Sequence, residues 1–270
     1  WCPVSPRKKP KSRSTIDTKF LTMLKHRIIP IILLDGFSVV KTINFETRRN
    51  LGSPITVMRT FETRNVDEML ILDIDATHQG RKFDFWLAKD ISQDCYMPLT
   101  FGGGVKSCHD IENMLSAGAD KVSINSAAIS DPDFIDEAVK VFGSQCIVIS
   151  IDIMSQTQFL GRSKQIEPIT LFDFVKRMED LDVGEFVVTD VNSEGCLRGP
   201  NINLAQEITR ITTKPVIFNG GVAKPDDCVD LIQNAKVDAV GCSSLFYFTN
   251  HTPDDCRAAL RSQNIPARKT

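Results

Sequence analysis

Pro98-Leu99-Thr100-Phe101-Gly102-Gly103-Gly104-Val105 and Pro215-Val216-Ile217-Phe218-Asn219-Gly220-Gly221-Val222 are two versions of one phrase, 215 − 98 = 117 residues apart. The same spacing lays Glu68–Asp75 on Glu185–Asn192. One residue further, at 118, Asp120–Ser126 falls on Asp238–Ser244. Three ordered matches at nearly one spacing mark an internal duplication. The period is too long for a solenoid, so it predicts two related half-domains, each closing on the same small-residue turns.

Working outward, short apolar stretches alternate with longer amphipathic ones. Expected strands are Arg27–Leu34, Glu68–Ile74, Met97–Phe101, Lys121–Asn125, Cys146–Asp152, Glu185–Asp190, Pro215–Phe218 and Asp238–Cys242. Runs such as Ile147-Val148-Ile149 suit strands buried on both faces of a parallel sheet. Ile111, Met114 and Leu115, and again Cys228, Leu231 and Ile232, keep helical spacing between strands. Eight strands with intervening helices, in two matching halves, predict a (β/α)8 TIM barrel built from two half-barrels at about 23–143 and 144–260. A doubly wound sheet is the competing architecture, but it needs no twofold internal repeat.

Composition narrows the function classes. A formal net charge of −2 leaves no general nucleic-acid or membrane surface. The longest apolar run, Ile28–Leu34, is broken by Pro30 and is far too short to span a bilayer. Eight cysteines show no CxxC and no metal-ligand spacing, so no metal or cofactor is expected. Scattered thiols of this kind fit reduced cysteines and a cytoplasmic protein. Residues 1–22 carry Arg7, Lys8, Lys9, Lys11 and Arg13 among prolines, with no apolar segment behind them. They read as a disordered basic tail or an upstream remnant rather than a secretory signal, with Met23 as a candidate start.

Barrel enzymes keep their sites where strands end and βα loops begin. Those positions hold Gly103 and Gly104, then Asn125 and Ser126, then Gly220 and Gly221, then Ser243 and Ser244. Glycines let backbone N–H groups approach an oxyanion, and serine hydroxyls complete a cup. A tight turn alone would also select glycine. Repetition at matching strand ends favours two anion sites, hence a substrate with a phosphate or similar anion at each end.

Several stretches resemble the cyclase subunit of imidazole glycerol phosphate synthase: Arg27-Ile28-Ile29-Pro30, Val39-Val40-Lys41, Asn44-Phe45, Asp67-Glu68, Leu72-Asp73-Ile74, Gly102-Gly103-Gly104, Gly118–Asn125, Phe142–Gln145 and Ile151-Asp152. The likeness runs from about Met23 to about Phe248. It implies a two-half barrel taking ammonia from a glutaminase subunit docked on the strand-start face and using it on a phosphorylated substrate at the other end. The family's product is imidazole glycerol phosphate, in histidine biosynthesis. By the same resemblance, Arg27, Glu68, Lys121 and Glu185 match its ammonia gate, Asp120 lies at the docking face, and Lys41 matches the lysine of a substrate loop spanning Lys41–Pro54. A salt-bridged bottom layer that only stabilises the barrel would use the same four charges.

The likeness breaks at one informative place. The family uses an aspartate at the end of strand five, here Asp152, and another at the end of strand one. Ungapped alignment puts Leu33 there, and the repeat agrees, since 152 − 119 = 33. Leucine transfers no proton. Asp35, two residues on, is a possible substitute, and Glu194 keeps one carboxylate of an acidic turn that here reads Asn192-Ser193-Glu194-Gly195. Segment Ser155–Glu167 is shorter than the family's hairpin. These changes resemble a paralogous branch associated with amidated surface-sugar biosynthesis. Three functions therefore stay open: an ammonia-using synthase or lyase, a sugar-phosphate isomerase barrel, and a scaffold or ammonia conduit without chemistry of its own.

Overall fold

A computed structural model of the chain describes residues 25–155, 158–160 and 169–269. Its strands are β1 (Arg27–Leu34), β2 (Val39–Ile43), β3 (Thr47–Gly52), β4 (Met69–Asp73), β5 (Leu99–Gly102), β6 (Lys121–Ile124), β7 (Ile147–Ser155), β8 (Gln158–Leu160), β9 (Glu185–Asp190), β10 (Val216–Asn219) and β11 (Ala239–Cys242). Eight of these run parallel in the order β1-β4-β5-β6-β7-β9-β10-β11. Pairing of Arg27–Pro30 with Ala239–Cys242 returns the last to the first. The sheet is thus a closed (β/α)8 barrel, as the duplicated phrase predicts, and it leaves no free edge in the ring. The eight expected strands are all present, two of them with the expected ends and none displaced by more than three residues. The basic-tail expectation for residues 1–22 lies outside the described residues, as does most of Ser155–Glu167.

Helices fill the crossovers: α1 (Pro54–Thr63), α2 (Phe85–Gln93), α3 (Cys108–Ser116), α4 (Ser126–Ser130), α5 (Pro132–Phe142), α6 (Leu171–Asp180), α7 (Ile202–Ile211), α8 (Pro225–Ala235), α9 (Ser244–Phe248) and α10 (Pro253–Ser262). Their starts are written in the sequence. Ser107 accepts a bond from the Asp110 N–H at the head of α3. Thr252, Pro253 and Asp255 make a capping box with proline at the first turn of α10. None of the described helices is long and apolar enough to cross a membrane. All seven described cysteines are free thiols.

Two apolar layers result. A large annulus packs the outward strand faces against the helices, with Phe101, Phe174, Phe186 and Phe218 among its buried side chains. A smaller cluster fills the barrel interior with Ile29, Ile31, Leu33, Leu70, Val148, Val187 and Ile217. Each half also carries an antiparallel extension of its first strand. Leu33 pairs with Val40 of β2, and Asp152 pairs with Leu160 of β8. Among barrel neighbours, Leu33 pairs with Leu72 and Asp152 with Thr189, and 189 − 72 = 117. The register therefore makes Leu33 and Asp152 repeat equivalents, as the sequence alignment predicts.

Arg257 locks the C-terminal helix to this frame. It is fully buried and donates to the carbonyls of Asn65 and Arg64 at 2.8 and 3.3 Å, with the Asp67 carboxylate 3.4 Å away. Asp67 also accepts the Ile28 N–H at 2.9 Å, so the same carboxylate steadies the start of β1. Arg257→Met should cost about 3 kcal/mol, because it strands a buried carboxylate and two carbonyls, while the Ile28 bond keeps the loss at the low end. Denaturant unfolding measures it. A loss under about 1 kcal/mol would mean that packing of α10 alone holds the seam.

Candidate active site

At the strand-start end, four interior charges form a closed ring. Arg27 donates to Glu68 at 2.5 Å and to Glu185 at 2.8 Å. Lys121 donates to Glu68 at 2.9 Å and to Glu185 at 2.5 Å. Thr100 adds a bond to Glu68 at 3.0 Å. Each carboxylate is held by both cations, which is how charges are tolerated inside a protein. Burial opposes ionisation of Glu185, but the charges of Arg27 and Lys121 outweigh it and hold its carboxyl below the ordinary glutamate range. Burial likewise opposes the Arg27 charge, and Glu185 and Glu68 override it and raise its pKa. Asp120, beside the ring, accepts the Leu99 N–H at 2.8 Å, and its repeat equivalent Asp238 accepts Val216 N–H at 2.9 Å. Asp120 thus serves strand alignment at that face and stays outside the ring.

At the opposite end a cavity of about 650 Å3 opens at the barrel mouth. Ile31, Leu33, Phe45, Leu72 and Ile74 give it an apolar part. Ser123, Asn125, Ser150, Asp152, Thr189 and Asn219 give it a polar one. Asp152 is 6 % exposed, and Asn125 Nδ2 donates to its Oδ2 at 3.1 Å. Leu33, 7 % exposed, lies in the same cavity, so the position expected to hold a second carboxylate is present in space but apolar.

Both glycine turns sit at this end. Gly103 and Gly104, with Asn125 and Ser126, line the main cavity. Gly220 and Gly221, with Ser243 and Ser244, line a small adjoining pocket of about 20 Å3 that shares Asn219, Ser243, Lys41 and Glu194 with it. The repeat holds at the level of single atoms. Gly103 and Gly220 have φ of +125° and +114°, and an added Cβ would lie 2.5 Å from the Asp73 carbonyl and 2.6 Å from that of Asp190. Only glycine fits both turns. In the second pocket the Ser243 and Ser244 hydroxyls are buried and make no hydrogen bond to protein. Such groups ask for a ligand or solvent partner.

One expectation about the mouth needs correcting. Asp35 stands apart from the residues that line the cavity, and its Oδ1 accepts the N–H groups of Ser38 at 2.9 Å and Phe37 at 3.4 Å, shaping the turn that leads into β2. The segment Lys41–Pro54 is not an irregular loop but mostly the β2–β3 hairpin, turned by Asn44 and Phe45 with φ of +51° and +64°. Lys41, expected near the substrate, is 2 % exposed and ion-paired with Glu194, which also accepts Thr42 Oγ1 at 2.9 Å. Glu194 follows β9, three strands from β1 around the ring, so the hairpin reaches across the mouth. Burial lowers the Lys41 ammonium to about 8, which keeps it charged at neutral pH.

The cavity also contains Asp73, Thr77, His78 and Lys106, which sequence reasoning did not select. Arg81 donates to Asp73 at 2.8 Å, and Arg48 of β3 grips Asp75 at 2.5 and 2.7 Å. The duplication could have singled out one of them, because Asp73 and Asp190 are repeat equivalents at strand ends. Among the described residues no cluster of His, Cys, Asp and Glu has the geometry to hold a metal ion. The arrangement thus brings two glycine turns and one buried carboxylate, Asp152, to the same end of the barrel.

Comparison with known proteins adds the following. Residues 27–252 match the family model described as histidine biosynthesis protein. A Campylobacter jejuni protein described as "Putative imidazole glycerol phosphate synthase subunit hisF2" is 41% identical over 249 residues, covering 91% of this chain and 99% of that protein. Two proteins described as imidazole glycerol phosphate synthase subunit HisF, from Bacillus cereus strains Q1 and G9842, are 35% and 34% identical over 251 residues, covering 91% of this chain and 100% of each.

Proposed function

The chain belongs to the histidine biosynthesis protein family, among the HisF-type cyclase subunits, and from that premise we propose that it is the ammonia-using subunit of a glutamine amidotransferase complex whose acceptor is not the histidine intermediate. A glutaminase docks on the strand-start face around Arg27, Glu68, Asp120, Lys121 and Glu185. Ammonia enters through the ring, passes along the barrel, and meets a phosphorylated acceptor held between the Gly103-Gly104-Asn125-Ser126 cup and the Gly220-Gly221-Ser243-Ser244 cup. Asp152 is the proton-transfer group, and the β2–β3 hairpin with Lys41 covers the site.

The observation that carries this is the two-ended design of one barrel. A four-charge ring closes one end, and paired glycine turns with buried, unpartnered serines lie at the other. Leu33 opposite Asp152 directs the chemistry away from the parent cyclisation, which in the family draws on two aspartates. Higher identity to the hisF2 protein than to the two Bacillus subunits supports a paralogous role, such as supplying ammonia for sugar amidation. A barrel acting only as an ammonia conduit is the second reading, and Leu33 is the residue that favours it.

The test begins with tagged chain purified from its own source. A glutaminase should come with it, and the complex should incorporate glutamine nitrogen into a phosphorylated acceptor. Release of all the nitrogen as free ammonia would leave the conduit. Absence of a glutaminase, with efficient isomerisation of a sugar phosphate, would refute both.

A further inference from the structure

The two cups differ in one respect that their repeated sequence hides. The first opens into the main cavity, whereas the second has room for about 20 Å3 beside a buried ion pair. That pair is Lys41 with Glu194, 2 % and 3 % exposed, and both residues line the second cup as well as the central cavity. We propose that Glu194 is an internal counter-anion of the second cup, and that a ligand's phosphate group binds there by taking Lys41 in exchange. This rests on the proposed role of the Gly220-Gly221-Ser243-Ser244 turn in holding an anion.

Glu194 is built to hold the lysine until something better arrives. One oxygen takes Lys41, and the other takes Thr42 Oγ1 at 2.9 Å and the Phe45 N–H at 3.4 Å. Its own carbonyl accepts the Asn44 N–H at 3.0 Å. Gly195 lies so close to the hairpin that an added Cβ would be 2.3 Å from the Thr42 carbonyl. The carboxylate can therefore surrender Lys41 and stay anchored by its other bonds. Lys41 has a flexible stem and three donors, so it can turn from a carboxylate to a phosphate without moving its backbone. Ser243 and Ser244 supply hydroxyls already buried and unengaged by protein. Repeat equivalence sharpens the contrast. Glu194 falls on Thr77 of the first half, since 194 − 77 = 117, so the first cup has no carboxylate at the equivalent position.

The exchange has a measurable sign. In the wild type an arriving phosphate must compete with Glu194 for Lys41 and also sit near a like charge. Removing that charge while keeping the side-chain shape should tighten binding about tenfold or more. Inorganic phosphate is titrated calorimetrically into the full chain. Glu194→Gln should tighten the weaker of two sites, and adding Lys41→Met should abolish the gain. Glu46→Gln removes an exposed charge from the same hairpin, outside both cavities, so it should leave affinity unchanged. Unaltered or weaker binding in Glu194→Gln, or an equal gain in Glu46→Gln, overturns the exchange while leaving the cups intact. No phosphate binding in the wild type overturns the two-cup reading and the exchange with it.

Discussion

Asp152→Asn is expected to lower ammonia-dependent turnover about 10²–10⁴-fold, equivalent to about 3–5 kcal/mol of transition-state stabilisation. The substitution keeps the shape of the side chain and an oxygen for the Asn125 amide while removing the carboxylate that could carry the proton. Thermal unfolding should stay close to wild type. The companion variant is Leu33→Asp. Its carboxylate would enter the cavity at the repeat-equivalent position, against Val40 and Leu72. Cyclisation of the histidine intermediate, weak or absent in the wild type, should then rise. Robust wild-type cyclisation would refute the assignment of a different acceptor. Undiminished turnover in Asp152→Asn would remove Asp152 from the chemistry.

The second large effect belongs to the ring. Lys121→Met leaves Glu68 and Glu185 sharing Arg27 alone, and breaking a buried ion pair from one side costs about 3–5 kcal/mol. The loss should depend on pH in a definite direction. The folded-state pKa of Glu185 is depressed, so its contribution is fully present above the unfolded glutamate value of about 4.3 and disappears as pH falls through the lower folded value. Stability curves of variant and wild type should therefore converge on the acid side. If the ring also admits ammonia, glutamine-dependent activity should fall well below ammonium-dependent activity in the same preparation. Equal losses with both nitrogen sources would make Lys121 a residue of the fold alone.

Much of the barrel could be read from the chain because its strands are buried on both faces. They stand out as continuous apolar runs, and the duplication supplies an independent check of register. The glycine turns could be read for a related reason: a turn that admits no Cβ must write its requirement as glycine, twice. The hairpin was not readable. β3 is Thr-Arg-Arg-Asn-Leu-Gly, exposed along nearly its whole length, and shows no apolar alternation to distinguish a strand from a loop. Nor was the Lys41–Glu194 pair, which joins residues 153 positions apart through a strand extension without apolar alternation. Asp35 has a sequence neighbourhood that fits a strand-end carboxylate, and in the fold its Oδ1 takes part in the turn at Gly36–Ser38.

The ring of four charges is divided unequally between the halves. Arg27, Glu68 and Lys121 come from the first, and Glu185 alone from the second. At the positions where the second half would repeat Arg27 and Lys121 it has Cys146 and Ala239, which carry no cation. Within the ring, a first half by itself contributes a surplus positive charge, and a second half by itself contributes an unneutralised carboxylate. Two first halves brought together would oppose like cations, and two second halves would oppose like anions. Only an unlike pair reaches neutrality. Repeated backbones that could in principle assemble in either combination are thus steered, by one asymmetric layer, toward the heterologous partner that the covalent chain already provides.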